Sequence, residues 1–254
     1  MTEPSPYEIA HGDHIFCSPI GNARADRLAG LLELPAEPAI VDLCCGKAEL
    51  LLRMVERHGG RGLGVDLSGA FIREGRERAM ARGLGDRVEL VCADVNAYAF
   101  EPAGYDLAMR IGGADDGGTF DAQVARLCDL ARPGGLVLIA DLYWRREPPE
   151  GRASLFAAGD GPMKVEHHAE KAAIVRAQGL DLLYSMTSTE DEWDDYEGLC
   201  LRAIERWAAA NPDHPRRESA LTRAREWYSE YLAWRRECLG FGFYLGRRPV
   251  TGDL

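Results

Sequence analysis

Three acidic residues, Asp42, Asp66 and Asp94, each stand at the end of a short apolar run. In an open α/β sheet the carboxyl ends of parallel strands meet along one edge, and ligands bind at that edge. A carboxylate there can accept two hydrogen bonds from a ribose diol, or it can attract a cationic group. Each acid taken singly is equally well explained as a helix cap or the start of an Asx turn. Three acids at three successive strand ends are better explained as parts of one binding site.

The turn that follows Asp42 supports this interpretation. It contains the small residues Cys44, Gly46 and Ala48, and a helix is predicted to begin near Lys47. Small residues let a ligand approach the backbone, and the first turn of a helix offers free N–H groups. The strand, the turn and the helix together predict a site of nucleotide size.

This segment resembles motif I of the class I S-adenosylmethionine-dependent methyltransferases, whose pattern is roughly Asp/Glu-x-Gly-x-Gly-x-Gly. Gly46 matches the pattern literally, whereas Cys44 and Ala48 stand where the family has glycine. With the strands that follow, the resemblance covers about residues 38–143 in order and spacing. It implies that the cofactor is S-adenosyl-L-methionine and the product S-adenosyl-L-homocysteine.

The resemblance also implies which residues surround the cofactor. They are Asp42, Cys44, Gly46 and Ala48 at the methionine end, Asp66 and Leu67 at the ribose, Ala93, Asp94 and Val95 at the adenine, and Arg110 and Ile111 beside the transferable methyl group. The carboxylate of Asp42 would favour the ammonium and sulfonium groups of such a cofactor.

Methyl transfer is an in-line displacement, so the protein must orient the acceptor, exclude water and, where needed, remove a proton. The predicted catalytic residues are His14, Arg110, Asp141 and Tyr143. His14 is the preferred base, with Asp141 and the other histidines His11, His167 and His168 as alternatives, although histidines in such places are more often surface or capping residues.

Arg110 and the aromatic residues each leave two interpretations open. Arg110 either binds an acceptor carboxylate or pairs with Asp115 or Asp116. The aromatic residues Tyr143, Trp144, Trp193 and Tyr196 form either a wall or cation cage for the acceptor, or ordinary core packing.

The order of elements predicts an α/β, Rossmann-like fold: a seven-stranded, mostly parallel sheet whose last strand is antiparallel, with helices on both faces. Helices are predicted at Gly21–Glu33 and Val165–Gln178. A fifth strand is predicted to follow the turn at Pro133-Gly134-Gly135 and to end at Asp141, and later strands are predicted at Leu180–Thr187 and Phe241–Leu245. The sequence predicts a single domain, 1–254, with four parts. They are an N-terminal lid and helix at 1–35, a cofactor-binding core at 38–188, a helical insertion over the acceptor pocket at 189–239, and the last strand at 240–248. The insertion is predicted to be broken at Asn211-Pro212.

Composition narrows the range of partners. A net charge of −11 argues against a nucleic-acid acceptor, since polyanion binding depends on lysine and arginine contacts. No apolar stretch is long enough for a membrane span and the start of the chain does not resemble a signal peptide, so a cytoplasmic protein is predicted. The seven scattered cysteines predict reduced thiols and no metal site. We therefore expect a small-molecule acceptor, and the sequence leaves a homodimer open.

Other functions are compatible with the same cofactor. An enzyme of this fold could use S-adenosylmethionine for a non-methyl reaction such as cyclisation, and a non-catalytic partner subunit could bind the cofactor without turnover. A nicotinamide dehydrogenase is disfavoured, because residues 42–48 do not have the Gly-x-Gly-x-x-Gly order.

Overall fold

The computed structural model describes residues 3–113, 118–152, 157–158, 161–162 and 165–250. The described strands are β1 (Ala39–Leu43), β2 (Arg61–Asp66), β3 (Val88–Cys92), β4 (Tyr105–Ile111), β5 (Ala131–Trp144), β6 (Ala157–Ala158), β7 (Gly161–Pro162), β8 (Asp181–Thr187) and β9 (Leu239–Arg247). The described α-helices are α1 (Pro6–Ala10), α2 (Asn22–Leu31), α3 (Glu49–His58), α4 (Gly69–Ala81), α5 (Phe120–Leu130), α6 (His168–Ala177), α7 (Glu190–Ala210), α8 (Arg217–Glu230) and α9 (Arg236–Cys238), with a π-helical turn at Tyr231–Arg235 between the last two.

Seven of these strands form one sheet in the order β3-β2-β1-β4-β5-β9-β8, and β6 and β7 form a separate two-stranded ribbon. The strands from β3 to β5 pair in parallel, whereas β9 pairs antiparallel with both β5 and β8. The predicted fold class is therefore confirmed, including the helices inserted before the last strand. The carboxyl ends of β1 to β4 share one edge of the sheet.

Apolar side chains on alternate positions of the strands cover both faces of the sheet. One face packs against α2, α3, α4 and α7, and the other packs against α5 and α6. Each fully buried Leu, Ile, Val or Phe contributes roughly 1.5–3 kcal/mol of hydrophobic free energy. This burial fixes the strands and so fixes the turns at their ends.

Several element bounds differ from the prediction. Helix α6 begins at His168 rather than at Val165, because the backbone of His167 is extended and its N–H donates to the Glu170 carboxylate at 2.8 Å. Strand β5 continues past Asp141 to Trp144, because the long strand β9 pairs with it along that length. Pairing partners distant in sequence thus extend β5 beyond the bound that its own residues indicate.

Among the helices that the structure describes, none is both long enough and apolar enough to cross a membrane.

Candidate active site

The first two acids lie at neighbouring strand ends. Asp66 ends β2, and its Oδ2 accepts a hydrogen bond from the Gly46 N–H at 2.7 Å. Its Oδ1 accepts from the Ser68 N–H at 2.8 Å. The carboxylate of Asp66 therefore ties the turn after β1 to the turn after β2. Burial is the main cause that raises the pKa of Asp66.

Asp42 lies inside β1 and is buried, with 3% of the residue exposed. Within the described residues its Oδ1 has no hydrogen-bond partner. Burial, and then the charge of Asp66, raise the pKa of Asp42 well above its usual range. A buried carboxyl oxygen without a donor is costly. A cationic group placed against it would remove that cost and stabilise the ionised form.

The turn between β1 and α3 is built from left-handed residues. The φ angles of Cys44, Gly46 and Ala48 are 57°, 55° and 58°. Cysteine and alanine rarely adopt this conformation, and such strain is concentrated at binding sites. Helix α3 starts directly after Ala48, and no side chain in the described part of the chain caps it. The first turn of α3 thus keeps backbone N–H groups that no side-chain cap satisfies.

The end of β2 and the segment after β3 form an open shelf. Leu67 is 73% exposed, which is unusual for a leucine next to a sheet edge. Asp94 is also exposed and its Oδ1 accepts from the Asn96 N–H at 2.8 Å, while Val95 is buried. The Ala93 N–H donates to the Asp66 carbonyl at 3.0 Å, which holds the two segments together. An apolar, flat ligand group can rest on this shelf.

The N-terminal segment, residues 11–18, lies across the turn after β1. A small cleft of about 40 Å³ lies between them. Its lining includes Phe16, Ser18, Asp42, Gly46 and Ile111. Ile111, predicted beside the reacting group, therefore shares a cleft with Asp42.

His14 is buried and faces helix α7. Its Nε2 lies 3.0 Å from the Tyr196 carbonyl oxygen. Burial lowers the pKa of His14. His11 lies beside it, with ring centroids 4.9 Å apart, and its Nε2 is 3.0 Å from the Tyr196 hydroxyl. Both histidines thus bind the N-terminal segment to α7.

Arg110 is buried and donates to the Gly113 carbonyl. Its suggested partners Asp115 and Asp116 lie outside the described residues. A Cβ placed on Gly113 would lie 3.1 Å from the Arg110 guanidinium and 2.8 Å from the Cβ of Cys44. The end of β4 and the turn after β1 are therefore in close contact.

Asp141 and Tyr143 lie on the face of the sheet covered by α5 and α6. The Asp141 Oδ2 is 2.8 Å from the Nζ of Lys171, and a second carboxylate, that of Glu166, is 3.3 Å from the same ammonium. The ring of Tyr143 lies 5.0 Å from that of His168. The structure therefore does not bring Asp141 and Tyr143 together with His14, which contacts α7.

The four aromatic residues do not form one cage. Trp193 is buried against Phe241 and Tyr231, with ring centroids 6.5 Å apart in both pairs, and Tyr196 touches its edge. Trp144 belongs to a separate cluster with Trp234. Tyr143 and Trp144 are adjacent in β5, so they point to opposite faces.

Two features were absent from the sequence-based prediction. The ammonium of Lys47, in the turn after β1, donates to the N-terminal segment. The Glu8 carboxylate of α1 accepts a hydrogen bond from the Ser68 hydroxyl, beside Asp66. Lysine is scarce in this chain, and that scarcity is the signal that could have drawn attention to Lys47.

The seven cysteines all lie within the described residues and are free thiols. In the described ranges, no three His, Cys, Asp or Glu side chains come together in a way that could hold a metal ion.

Comparison with known proteins adds a further finding. Residues 40–135 match the family model of a methyltransferase domain. The crystal structure of an S-adenosylmethionine-dependent methyltransferase from Geobacter sulfurreducens in complex with S-adenosyl-L-homocysteine is similar over 96% of this chain and 98% of that chain, with a TM-score of 0.88 and 27% identity. The protein YjhP of Escherichia coli (strain K12) is 26% identical over 96% of this chain and 98% of its own length. The 27-O-demethylrifamycin SV methyltransferase of Amycolatopsis mediterranei (strain S699) is 24% identical, covering 83% of this chain and 89% of that protein.

Proposed function

This chain belongs to the class I S-adenosylmethionine-dependent methyltransferases, and we propose that it transfers the methyl group of S-adenosylmethionine to a small-molecule acceptor. The observation that carries the proposal is the carboxyl group of Asp42. It is buried, lies beside a strained turn, and has an oxygen without a donor in the described structure. The ammonium of the methionine moiety is a group of the right charge to bind it.

The remaining residues around the turn fit the same cofactor. The turn at Cys44, Gly46 and Ala48 holds the methionine end. Asp66 accepts from the ribose hydroxyls, since each carboxylate oxygen has a lone pair beyond the backbone bond that it already accepts. The shelf of Leu67 with Ala93, Asp94 and Val95 receives the adenine.

The bound cofactor supplies an electrophilic methyl group on its sulfonium. The chain orients the acceptor and excludes water, because Phe16 and Ile111 line the cleft with apolar surface. Where the acceptor carries a proton, His14 can accept it, since burial keeps the imidazole neutral by lowering its pKa. Asp141, held by Lys171 on the other side of β5, is the second candidate base.

Two observations support a small molecule as acceptor. The net charge of −11 disfavours a nucleic acid. The Amycolatopsis relative is named as a methyltransferase for 27-O-demethylrifamycin SV. We further propose that the protein acts in the cytoplasm, consistent with its free thiols. A homodimer stays a prediction.

A turnover assay tests this proposal. The protein is incubated with S-adenosylmethionine and, separately, with the small-molecule, nucleic-acid and protein fractions of a cell extract, and nucleoside products are identified by mass. We expect S-adenosylhomocysteine to form only with the small-molecule fraction and to disappear with Asp66→Ala. Asp86→Ala is the matched control, because Asp86 is an exposed acid at the opposite end of β3.

Three outcomes would contradict the proposal. Formation of S-adenosylhomocysteine with the protein or nucleic-acid fraction alone would show a macromolecular acceptor. Methylthioadenosine as the product would show a non-methyl reaction such as cyclisation. Cofactor binding without turnover on any fraction would favour a non-catalytic partner subunit.

A further inference from the structure

Lysine is rare in this chain and is used in unusual places. Only three of the 30 basic Lys and Arg residues are lysines, namely Lys47, Lys164 and Lys171. The two that the structure describes, Lys47 and Lys171, have side chains that are each 1% exposed. Among the residues that the structure describes, arginine occupies the exposed basic positions. A charge this deeply buried is costly unless its donors are satisfied, so Lys47 and Lys171 are interior groups that need specific partners.

The partners of Lys47 come from two separate parts of the chain. Its Nζ donates to the carbonyl oxygens of His14 at 2.9 Å and Gly12 at 3.4 Å, both in the N-terminal segment. The third partner is the carboxylate of Glu74 in α4, at 2.9 Å. Burial of an ammonium is costly unless its donors are satisfied. Lys47 is therefore buried at low cost only while the N-terminal segment stays in this position.

The residues after His14 form the outer side of the cleft described above. Ile15, Phe16, Cys17 and Ser18 all line it. The Sγ of Cys17 lies 3.2 Å from the point where a Cβ on Gly46 would be. The carbonyls that Lys47 holds thus directly precede the residues that cover the turn after β1.

On its other side the same segment is bonded to α7. His11 contacts the Tyr196 hydroxyl and His14 contacts the Tyr196 carbonyl, at 3.0 Å in both cases. The segment Gly12–Ser18 consequently connects the turn after β1 with the helical insertion, and Lys47 is its attachment to the turn.

We propose that Lys47 is a positioning residue whose ammonium holds the segment Gly12–Ser18 over the turn after β1, forming the outer wall of the cofactor site. The inference depends on the proposed function, because it takes the cleft as the cofactor site. Lys47 acts through the segment and touches no reacting atom. We expect loss of the Lys47 ammonium to leave the turn after β1 in place and to release the segment Gly12–Ser18 from it.

Substitution Lys47→Met tests this role, because methionine keeps an unbranched stem and removes the charge. The first readout is the rate at which N-ethylmaleimide labels Cys17, followed by peptide mass mapping. Burial raises the pKa of Cys17 to about 12, so the wild-type thiol reacts slowly. We expect Lys47→Met to label at Cys17 about tenfold faster, through local opening. The second readout is the Kd of S-adenosylhomocysteine, which should rise by about tenfold.

Internal and matched controls separate local opening from unfolding. Cys238 is buried against Trp144 and Trp234, away from the segment, and its labelling rate should be unchanged in Lys47→Met. Lys171→Met removes the other described buried lysine and should leave the labelling of Cys17 at the wild-type rate. In the wild-type protein itself, S-adenosylhomocysteine should slow the labelling of Cys17.

Results that contradict the role of Lys47 can be told apart from results that contradict the proposed function. A Lys47→Met protein with wild-type Cys17 labelling and an unchanged Kd would overturn the positioning role. Fast labelling of Cys238 would show that the variant is unfolded, and the proposal is then tested on the wild-type protein alone. If bound S-adenosylhomocysteine does not slow the labelling of wild-type Cys17, the segment does not form a wall of the cofactor site. Failure of the wild-type protein to bind S-adenosylhomocysteine would instead count against the proposed function, and the effect of Lys47→Met on Cys17 would still report whether Lys47 holds the segment.

Discussion

At the scale of single residues, Asp42 and Asp66 differ in how their carboxyl oxygens are satisfied. Both oxygens of Asp66 accept backbone N–H groups at 2.7 and 2.8 Å. The Oδ1 of Asp42 has no donor in the described part of the structure. Asp66 therefore stabilises the turns around it as well as being a proposed ribose acceptor, whereas we propose that Asp42 gains its partner from the cofactor. The sequence predicted both acids but not this division of roles, which depends on the path of the turn.

The residue Ala48 allows a test of backbone strain in that turn. It has a φ of 58° and is fully buried. We expect Ala48→Val to lower the free energy of unfolding by about 2 kcal/mol, because a β-branched residue is poorly tolerated in the left-handed region. Ala48→Gly should change it by less than about 1 kcal/mol, since relief of strain offsets the lost methyl group and the greater freedom of glycine in the unfolded chain. Urea denaturation measures both, and a valine variant as stable as wild type would contradict the account.

At the scale of elements, the N-terminal segment is joined to α7 by a hydrogen-bond chain whose direction can be deduced. The Nδ1 of His11 lies 2.9 Å from the Tyr7 carbonyl, which can only accept, so Nδ1 carries the proton. The Nε2 therefore accepts from the Tyr196 hydroxyl at 3.0 Å. Protonation of His11 would remove that acceptor and weaken the joint.

The buried His11 in this series of hydrogen bonds predicts a pH dependence of the free energy of unfolding. Burial lowers the pKa of His11 from 6.5 to about 4. Between these values the unfolded chain binds more protons than the folded one, so stability falls as the pH falls. From about pH 7 to about pH 5 the loss due to His11 is on the order of 2 kcal/mol. The measurement is urea unfolding of wild type and His11→Gln at both pH values.

On acidification from about pH 7 to about pH 5, the free energy of unfolding of His11→Gln should fall by about 2 kcal/mol less than that of the wild type. Titrating groups that do not contact His11 affect both proteins equally and cancel in the comparison. Equal losses in the two proteins would show that His11 is not buried in the neutral form.

The insertion is attached to the sheet through Trp193 of α7. This side chain is buried against Phe241 of β9 and Tyr231 of the π-helical turn. We expect Trp193→Ala to lower the free energy of unfolding by about 3 kcal/mol or more, because a large cavity remains. Leu232→Ala is the control, since Leu232 is 59% exposed and its loss should cost less than about 0.5 kcal/mol. Denaturant curves that coincide for the two variants would contradict this attachment.

At the scale of the whole molecule, local signals carried most of the fold prediction. Apolar runs, turn residues and acids at strand ends are close in sequence, so the order of strands and helices from β1 to β5 could be predicted. The long pairing of β5 with β9 could not, because the partners are about a hundred residues apart and meet only in the packed sheet.

The same distinction holds for the candidate site. The cofactor-side residues are local to their turns and were predicted from the sequence, although their roles stay proposals. The contacts of Asp141 with Lys171 and of His14 with Tyr196 join residues 30 and 182 positions apart. Such contacts depend on how helices pack against the sheet, and the sequence alone does not indicate them.

Calorimetric titration of the purified protein with S-adenosylhomocysteine, beside NAD and with Asp66→Ala in parallel, tests the central claim most directly. We predict micromolar binding of S-adenosylhomocysteine, at least about tenfold weaker in Asp66→Ala because the half-buried carboxylate that we propose as acceptor for the ribose hydroxyls is lost, and no binding of NAD. Absence of S-adenosylhomocysteine binding to the wild-type protein, or binding of NAD in its place, would contradict the account.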